Sequence, residues 1–178
     1  MILARGVPLD LSARSLTHVY NQVRNMSREG DPLEHTSIVR LCIQAKREAI
    51  TQWKERLTSV HTITGTRVRQ AIIPYMKEWY KRRHGSIIFH STQILTGHGC
   101  FQEYLYKIRR TASPGCKHCC DVSDSAQHTL EFCPAWEQDR AELRRVLGRG
   151  VGLDIRSVIA EIVDNRTKWK AFNAFCGR

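Results

Sequence analysis

The stretch Pro114-Gly115-Cys116-Lys117-His118-Cys119, continued by His128-Thr129-Leu130-Glu131-Phe132-Cys133-Pro134, organises this chain of 178 residues. Its metal-ligand types follow the spacing C-x2-C-x8-H-x4-C through Cys116, Cys119, His128 and Cys133. Three thiolates and one imidazole form a closed tetrahedral shell of the kind that suits zinc. A closed shell leaves no coordination position for an activated water, so the pattern predicts a structural zinc knuckle and not a catalytic metal.

The residues around these ligands predict a turn followed by a short helix. Pro114-Gly115 is a turn signal placed before the first pair of cysteines. Asp124 or Ser125 is positioned to cap a helix that carries His128, so the last two ligands would come from a helix and its C-terminal end. Pro134 ends that helix and starts the next, because proline has no amide hydrogen for an interior turn.

Two alternatives stay open for this cluster at the level of sequence. The cysteines could form a reduced, buried group beside a satisfied histidine, with no metal. The ligand set could also differ by one residue, since Cys120 is adjacent to Cys119 and His118 lies between the first two ligands.

Several stretches of the chain carry a resemblance to a known family. They are Leu95-Thr96-Gly97-His98-Gly99-Cys100-Phe101, residues 104–108, the Cys116/Cys119 pair and residues 128–136. Together they resemble the C-terminal region of Pol polyproteins from arthropod non-LTR retrotransposons, in particular the site-specific type-1 elements that insert into ribosomal RNA genes or telomeric repeats. Residues 3–11 and 79–85 resemble the segment that follows the reverse transcriptase domain there. The resemblance therefore extends from about residue 3 to residue 147.

The resemblance implies a parent polyprotein with RNA-directed DNA polymerase and endonuclease activities. It implies that the residues for both activities lie outside this segment, and that Mg²⁺ is a cofactor only of the parent's polymerase and nuclease. The partners that it implies are the element RNA, the target DNA and the rest of the polyprotein. It also implies a nuclear location at the integration step.

The charge of the chain favours a polyanionic partner. The formal net charge is +11, from 28 Lys and Arg against 17 Asp and Glu. Residues 46–110 contain 13 of these cations and four glutamates, so most of the excess lies just upstream of the knuckle. Basic residues that border a knuckle are typical of nucleic-acid contacts, although a basic helix face is often only solvated.

Candidate nucleic-acid contacts are cations for phosphate and aromatic rings for stacking on bases. The phosphate candidates are Lys81, Arg82, Arg83, Lys107, Arg109 and Arg110, and the stacking candidates are Trp79 and Tyr80. The alternative for the two rings is a place in the core, with the cations complementing the dipole at a helix end.

The periodicity of apolar residues predicts a mainly α-helical fold. The expected helices begin after Pro8, with Asp10 or Ser12 as the cap, and break at Gly30-Asp31-Pro32. A turn is expected at Thr64-Gly65-Thr66, a restart at Pro74, and a helix capped by Ser91 that ends at Gly97. The other expected helices span 33–60, 75–84, 101–108, 136–147, 154–162 and 169–175.

These expectations divide the chain into three segments. Residues 1–111 form a basic helical segment, residues 112–136 the knuckle, and residues 137–178 the C-terminal helices. The boundary falls at Thr111-Ala112-Ser113-Pro114, a stretch of loop-type residues.

The cysteine pattern favours a reducing compartment. Seven cysteines are an odd number, and four of them cluster at 116–133 while Cys42, Cys100 and Cys176 stand apart. Arg5 and Asp10 interrupt any apolar leader, and no run is long enough to cross a bilayer. We therefore expect an intracellular protein with no membrane partner.

The sequence shows no convincing catalytic set. No Asp-Asp pair of the polymerase type occurs, and Asp121, Asp124, Asp154, Glu161 and Asp164 are not in a spacing typical of two-metal nucleases. We therefore expect a nucleic-acid-binding segment that acts in target-primed reverse transcription. The alternatives are a nuclease portion that uses the knuckle as scaffold, and a module that docks on the polymerase domain.

Overall fold

Helices account for all the regular structure in the part of the chain that is described. The computed structural model describes residues 2–29, 34–59 and 65–178, and within these ranges it contains nine α-helices and no β-strand. The sequence prediction of a mainly α fold, with the Cys/His motif between helices, is confirmed.

The first compact unit, Met1–His61, is a pair of helices. Helix α1 spans Leu9–Arg28 and α2 spans His35–Ser59. They pack through the apolar stripe of α2, where Ala45, Ala49 and Trp53 are buried. The long amphipathic helix expected here is therefore confirmed, and the predicted break at Gly30-Asp31-Pro32 lies outside the described residues.

The expected cap of α1 is wrong. Pro8 occupies the N-cap position, and no side chain caps the helix. Asp10 lies in the first turn and forms an ion pair with Arg56 of α2. That contact lowers the pKa of Asp10 from its usual value, because Arg56 donates hydrogen bonds to the carboxylate.

The second unit, Thr62–Arg178, contains the other seven α-helices. They are α3 (Thr66–Ile72), α4 (Met76–Lys81), α5 (Phe89–Thr96), α6 (Gln102–Lys107), α7 (Glu137–Leu147), α8 (Ile155–Ile162) and α9 (Arg166–Cys176). Pro74 lies in a single 3₁₀ turn, Ile73–Tyr75, that separates α3 from α4. The predicted restart at this proline is confirmed; Thr64 of the turn predicted just before α3 lies outside the described residues.

The core of this unit is formed where the C-terminal helices meet the early ones. Helix α3 packs on α8, and α9 packs on α5, α7 and α8. Val158 and Ile159 of α8 and Phe172 of α9 are fully buried. The Asp154 carboxylate accepts hydrogen bonds from the amides of Arg156 and Ser157, which confirms the predicted cap of α8.

Left-handed backbone favours glycine at two positions near the core. Gly97 ends α5 with φ +74°, as the sequence predicts. At Gly85, φ is +75° and a Cβ atom would lie 2.3 Å from the Trp169 ring. The predicted cap of α5 is wrong, because the helix begins two residues before Ser91. From the first turn, the Ser91 hydroxyl accepts a hydrogen bond from the Ile88 amide and donates one to the Ile88 carbonyl.

The compact units do not follow the three expected segments. The division falls between residues 61 and 62, whereas the expected boundaries after 111 and 136 lie inside the second unit. The reason is that α3 and α5 bury their apolar faces against α8 and α9, which follow the knuckle in the sequence.

Within the described ranges, no helix has both the length and the apolar composition that a bilayer crossing requires.

Candidate metal centre

Four ligand-type side chains converge between α6 and α7. The Sγ atoms of Cys116, Cys119 and Cys133 and one ring nitrogen of His128 lie within 4.8 Å of one another. The Sγ atoms of Cys116 and Cys133 are 3.9 Å apart, and Cys119 Sγ is 3.3 Å from His128 Nε2. Tetrahedral zinc with Zn–S of about 2.3 Å requires sulfur–sulfur separations of about 3.8 Å and sulfur–nitrogen separations of about 3.6 Å. The cluster therefore fits a zinc ion.

The alternative ligands named from the sequence lie outside this cluster. Cys120 and His118 are both exposed. The His118 ring packs edge-on against Trp136, with their centroids 5.4 Å apart. Among the described residues, the cluster contains only the four predicted side chains.

A tight loop presents the first two cysteines. The Cys116 amide donates to the Asp121 carbonyl (3.0 Å), and the Asp124 amide donates to the Pro114 carbonyl (2.8 Å). These two bonds close the loop that Pro114-Gly115 begins. The His118 amide also donates to Cys116 Sγ (3.4 Å).

A π-helical turn, His128–Phe132, presents the other two ligands. Ser125 Oγ accepts from the His128 amide (3.0 Å), so Ser125 is the cap of the two expected candidates. The Cys133 amide donates to the His128 carbonyl (2.8 Å), a bond between residues five apart. In an ordinary α-helix, positions five apart point about 140° away from each other. The wider turn brings His128 and Cys133 to one side.

Asp121 orients the histidine ligand. Its carboxylate lies 3.3 Å from His128 Nδ1, on the side of the ring opposite the cysteines. A carboxylate at this position holds the proton on Nδ1 and leaves Nε2 free to bind a metal. Sequence reasoning treated Asp121 only as a nuclease candidate; an acidic residue inside the ligand loop is the signal that it overlooked.

Arg140 fixes the last ligand against α7. This arginine is 1% exposed, and its guanidinium donates to the carbonyls of Cys133 (2.6 Å) and Thr129 (3.2 Å). Glu137 neutralises it at 2.6 Å. A buried cation therefore satisfies backbone carbonyls in and just after the π-helical turn. The local sequence does not predict this contact.

The thiol environment disfavours the charged state when no cation is present. Burial and the neighbouring thiols raise the pKa of Cys133 to about 11. A bound metal reverses this preference, because it binds the thiolate and releases the proton. Metal binding and deprotonation are thus linked at this site.

Asp124 joins the metal loop to α6. Its carboxylate accepts from the Gln102 amide (3.1 Å) and its backbone carbonyl accepts from the Glu103 amide (3.1 Å). Both donors belong to the first turn of α6, whose amides have no partners within the helix. Asp124 is 7% exposed, so this connection is shielded from water. The predicted capping role of Asp124 is therefore wrong in its target, since it caps α6 and not the helix that carries His128.

The C-terminal end of α6 carries three of the predicted phosphate contacts. Lys107, Arg109 and Arg110 are all exposed. The Arg110 amide donates to the Leu105 carbonyl (2.7 Å) and the Arg109 amide to the Tyr106 carbonyl (2.9 Å), the pattern of a Schellman motif. Arg109 has φ +60°, so an arginine occupies the left-handed position that glycine usually takes.

Two predicted nucleic-acid contacts belong to the core instead. Trp79 is 1% and Arg82 6% exposed. The Arg82 guanidinium carbon lies 3.7 Å from the centre of the Trp79 ring and 4.3 Å from that of Trp169, and Arg82 Nη1 donates to the Trp79 carbonyl (2.7 Å). This cation–π contact with a distant tryptophan is the physical reason that neither side chain is available to a ligand. Lys81 and Arg83 are exposed, and Tyr80 is half-buried.

Four of the five carboxylates of the nuclease alternative have structural roles. Asp154 caps α8, Glu161 forms an ion pair with Lys168, and Asp121 and Asp124 serve the metal loop. Asp164 is exposed. Within the described residues, the Cys/His cluster is the one group of three or more potential metal ligands.

Comparison with known proteins supports the resemblance given by the motifs. Over 188 residues the chain is 26% identical to the "Putative 115 kDa protein in type-1 retrotransposable element R1DM" of Drosophila melanogaster, covering 98% of this chain and 17% of that protein. The chain is similar to proteins of type-1 retrotransposable elements. Over 106 residues it is also 24% identical to the "Retrovirus-related Pol polyprotein from type-1 retrotransposable element R1" of Popillia japonica, covering 52% of this chain and 43% of that protein.

The chain thus spans less than half the length of either relative. No protein-family model matches it, and no solved structure matches it. The likeness to a retrotransposon polyprotein, predicted from the motifs, is confirmed at this level.

Proposed function

We propose that this chain is a nucleic-acid-binding segment from the C-terminal part of a non-LTR retrotransposon polyprotein. It holds a structural zinc ion at Cys116, Cys119, His128 and Cys133, and it binds element RNA or target DNA during target-primed reverse transcription. The observation that carries this proposal is the hydrogen bond that the Gln102 amide of α6 donates to the Asp124 carboxylate. This bond connects the metal loop to a helix that ends in exposed cations.

The role of zinc in this proposal is structural. The four ligands complete a tetrahedral shell, and a bound zinc would supply local folding energy on the order of 10 kcal/mol. The protein residues then hold the arrangement: Asp121 orients His128, and Arg140 fixes the Cys133 carbonyl. The metal loop in turn holds the first turn of α6.

Some cations of the second unit have carboxylate partners, and others are exposed without one. Arg140, Arg144 and Lys168 in the C-terminal helices form ion pairs with glutamates. Lys107, Arg109 and Arg110 are exposed and form no ion pair with any described carboxylate. The same holds for Lys81 and Arg83, and for some cations of the C-terminal helices, such as Arg145 and Lys170. Exposed cations with no protein partner remain available to neutralise phosphates.

A chain that binds target DNA must reach the nucleus. Binding of target DNA at the integration step requires a nuclear location at that time. The remainder of the polyprotein would supply the polymerase and nuclease activities, with their Mg²⁺.

The test is a salt-titrated binding measurement on zinc-loaded protein with duplex DNA, single-stranded DNA and structured RNA. We expect binding to at least one of them, with log Kd rising with log salt by about 0.9 per phosphate contact on a duplex. Chelation should weaken binding, because it releases the metal loop and with it α6. Arg144→Gln should leave nucleic-acid binding nearly unchanged, since Arg144 already pairs with Glu137. Absence of binding to all three at low salt would refute the proposal and favour a protein-docking module.

A further inference from the structure

A polar cavity of about 370 Å³ lies beside the metal loop in the second unit. It is bounded by the turn between α5 and α6, by α6 itself and by the residues that lead into the π-helical turn. Its lining includes Arg67, His98, Tyr104, Lys107, Ser125 and Gln127. This volume is within the range of about 300–1,000 Å³ that is typical of small-ligand sites.

An aromatic pair forms one side of the cavity. The rings of His98 and Tyr104 stack with their centroids 4.5 Å apart and their planes 23° apart. Tyr104 is half-buried in α6, whereas His98 is exposed. The pair is therefore a stacked platform with an open outer ring, which is the feature that proteins use to stack an unpaired base.

Two glycines hold His98 on this platform. Gly97 has φ +74° and Gly99 has φ +106°, conformations that other residues rarely adopt. A Cβ atom at Gly99 would also lie 2.3 Å from Gln93 Nε2. The turn that presents the imidazole therefore depends on glycine at both neighbouring positions.

Positive charge faces the same cavity. Arg67 donates from Nε to the Ile94 carbonyl (3.2 Å) and from Nη1 to Gln127 Oε1 (3.0 Å), so both of these partners are neutral. Its third nitrogen, Nη2, is buried with no hydrogen-bond partner among the described residues. Lys107 is exposed, and the carboxylate in the lining, Glu103, accepts from Ser123 Oγ (3.2 Å). Asp154 also acts electrostatically on Arg67, and the Arg67 Nη2 atom is not accessible to a ligand, so Lys107 is the exposed cation of this lining.

We propose that this cavity binds one nucleotide of a single-stranded RNA or DNA, with the base stacked on the His98–Tyr104 pair and the phosphate facing Lys107. This inference rests on the proposed nucleic-acid function and names the site at which a single strand is held. A duplex is a poor ligand for such a platform, because its bases are already stacked and paired. Ser125 and Gln127 in the cavity wall lead directly into the turn that carries His128, so the metal loop also supports this site.

The test compares three histidine variants of the zinc-loaded full chain, with labelled oligo-dT, oligo-U and a DNA duplex as probes. His98→Ala should weaken single-strand binding roughly 5- to 150-fold and leave duplex binding unchanged. His98→Phe keeps an aromatic ring and should restore the affinity. His90→Ala removes an exposed histidine outside this cavity and should have no effect.

Two further measurements report on the site itself. Lys107→Gln should lower the salt dependence of single-strand binding by roughly 0.7 in log–log slope, the value for one phosphate contact. An oligonucleotide that carries 5-iodouridine should cross-link on irradiation to the segment 98–107.

The possible failures are distinguishable. If His98→Ala binds single strands as the unmodified protein does, or if the cross-link maps elsewhere, the cavity is not the site, and the proposed function stands. If the unmodified protein binds no nucleic acid at low salt, both proposals fail.

Discussion

Replacement of Arg109 by glycine should change stability and nucleic-acid binding in opposite directions. Arg109 has φ +60° and lies at the left-handed position of the Schellman motif that ends α6. A left-handed backbone costs a residue with a Cβ roughly 1–2 kcal/mol, and glycine avoids this cost. Glycine at this position would therefore make the end of α6 more stable, and it would also remove an exposed positive charge.

The magnitudes follow from the same geometry. Arg109→Gly relieves the strain but also makes the unfolded chain more flexible, so we expect a net gain in unfolding free energy of about 0.5–1 kcal/mol. For a unit of this size, that gain corresponds to a rise of about 2–5 °C in melting temperature. The loss of one phosphate contact should lower the log–log salt slope of duplex binding by about 0.9.

The assay is a thermal melt and a salt-titrated anisotropy measurement on the zinc-loaded protein. Arg109→Gln is the matched control, because it removes the charge and keeps the strained backbone. We expect it to bind as weakly as the glycine variant and to melt like the unmodified protein. If Arg109→Gly binds nucleic acid with unchanged affinity and slope, the arginine is only a solvated helix end, and the reasoning from its backbone is refuted.

Three further predictions concern the metal loop and the helix caps. Asp124→Ala removes a buried acceptor from the Gln102 amide, so it should destabilise α6 by about 2 kcal/mol. Hydrogen exchange of the α6 amides should become faster, while the zinc content stays the same. Exchange as slow as in the unmodified protein would contradict the connection between the metal loop and α6. Cys116→Ser should abolish zinc retention and unfold the loop, measured by zinc release and circular dichroism, whereas Cys120→Ser, outside the cluster, should do neither. Asp154→Ala should cost about 1 kcal/mol at neutral pH. Burial raises the pKa of Asp154, but the hydrogen bonds from Ser157 and Arg156 together outweigh it, so the folded pKa is below its usual value. The stabilisation by Asp154 is therefore present above the pKa of the unfolded state and is lost as pH falls through the lower folded value. A stability difference between Asp154→Ala and the unmodified protein that persists in strong acid would contradict this assignment.

The sequence was sufficient for the ligand set because that information is local. The spacing from Cys116 to Cys133 fixes which side chains reach one ion, and the chain between them is too short to place them far apart. The same holds for the cap at Asp154, which accepts hydrogen bonds from amides two and three residues away. Patterns of this kind need no knowledge of the tertiary fold.

Contacts between distant segments could not be found in this way. Asp124 bonds to a residue 22 positions earlier in the chain, and Lys168 bonds to the Leu147 carbonyl 21 positions earlier. No periodicity reports such pairs, because each depends on how the helices pack. The π-helical turn at His128–Phe132 was also missed, since its five residues have an ordinary helical composition.

The error at Trp79 and Arg82 shows why charge alone does not define a binding surface. An aromatic residue beside cations has the same sequence signature whether it stacks on a base or on its own arginine. The deciding partner, Trp169, lies 90 positions later, and with Trp79 it provides two ring faces for the Arg82 guanidinium. Arginines that are consumed by the fold, such as Arg82 and Arg140, must be subtracted before the net charge is assigned to a ligand. Among the cations of the second unit that stay exposed and have no ion pair with a described carboxylate, Lys107, Arg109 and Arg110 follow α6 next to the metal loop. Such residual charge, and not the total, is what a nucleic-acid partner would contact.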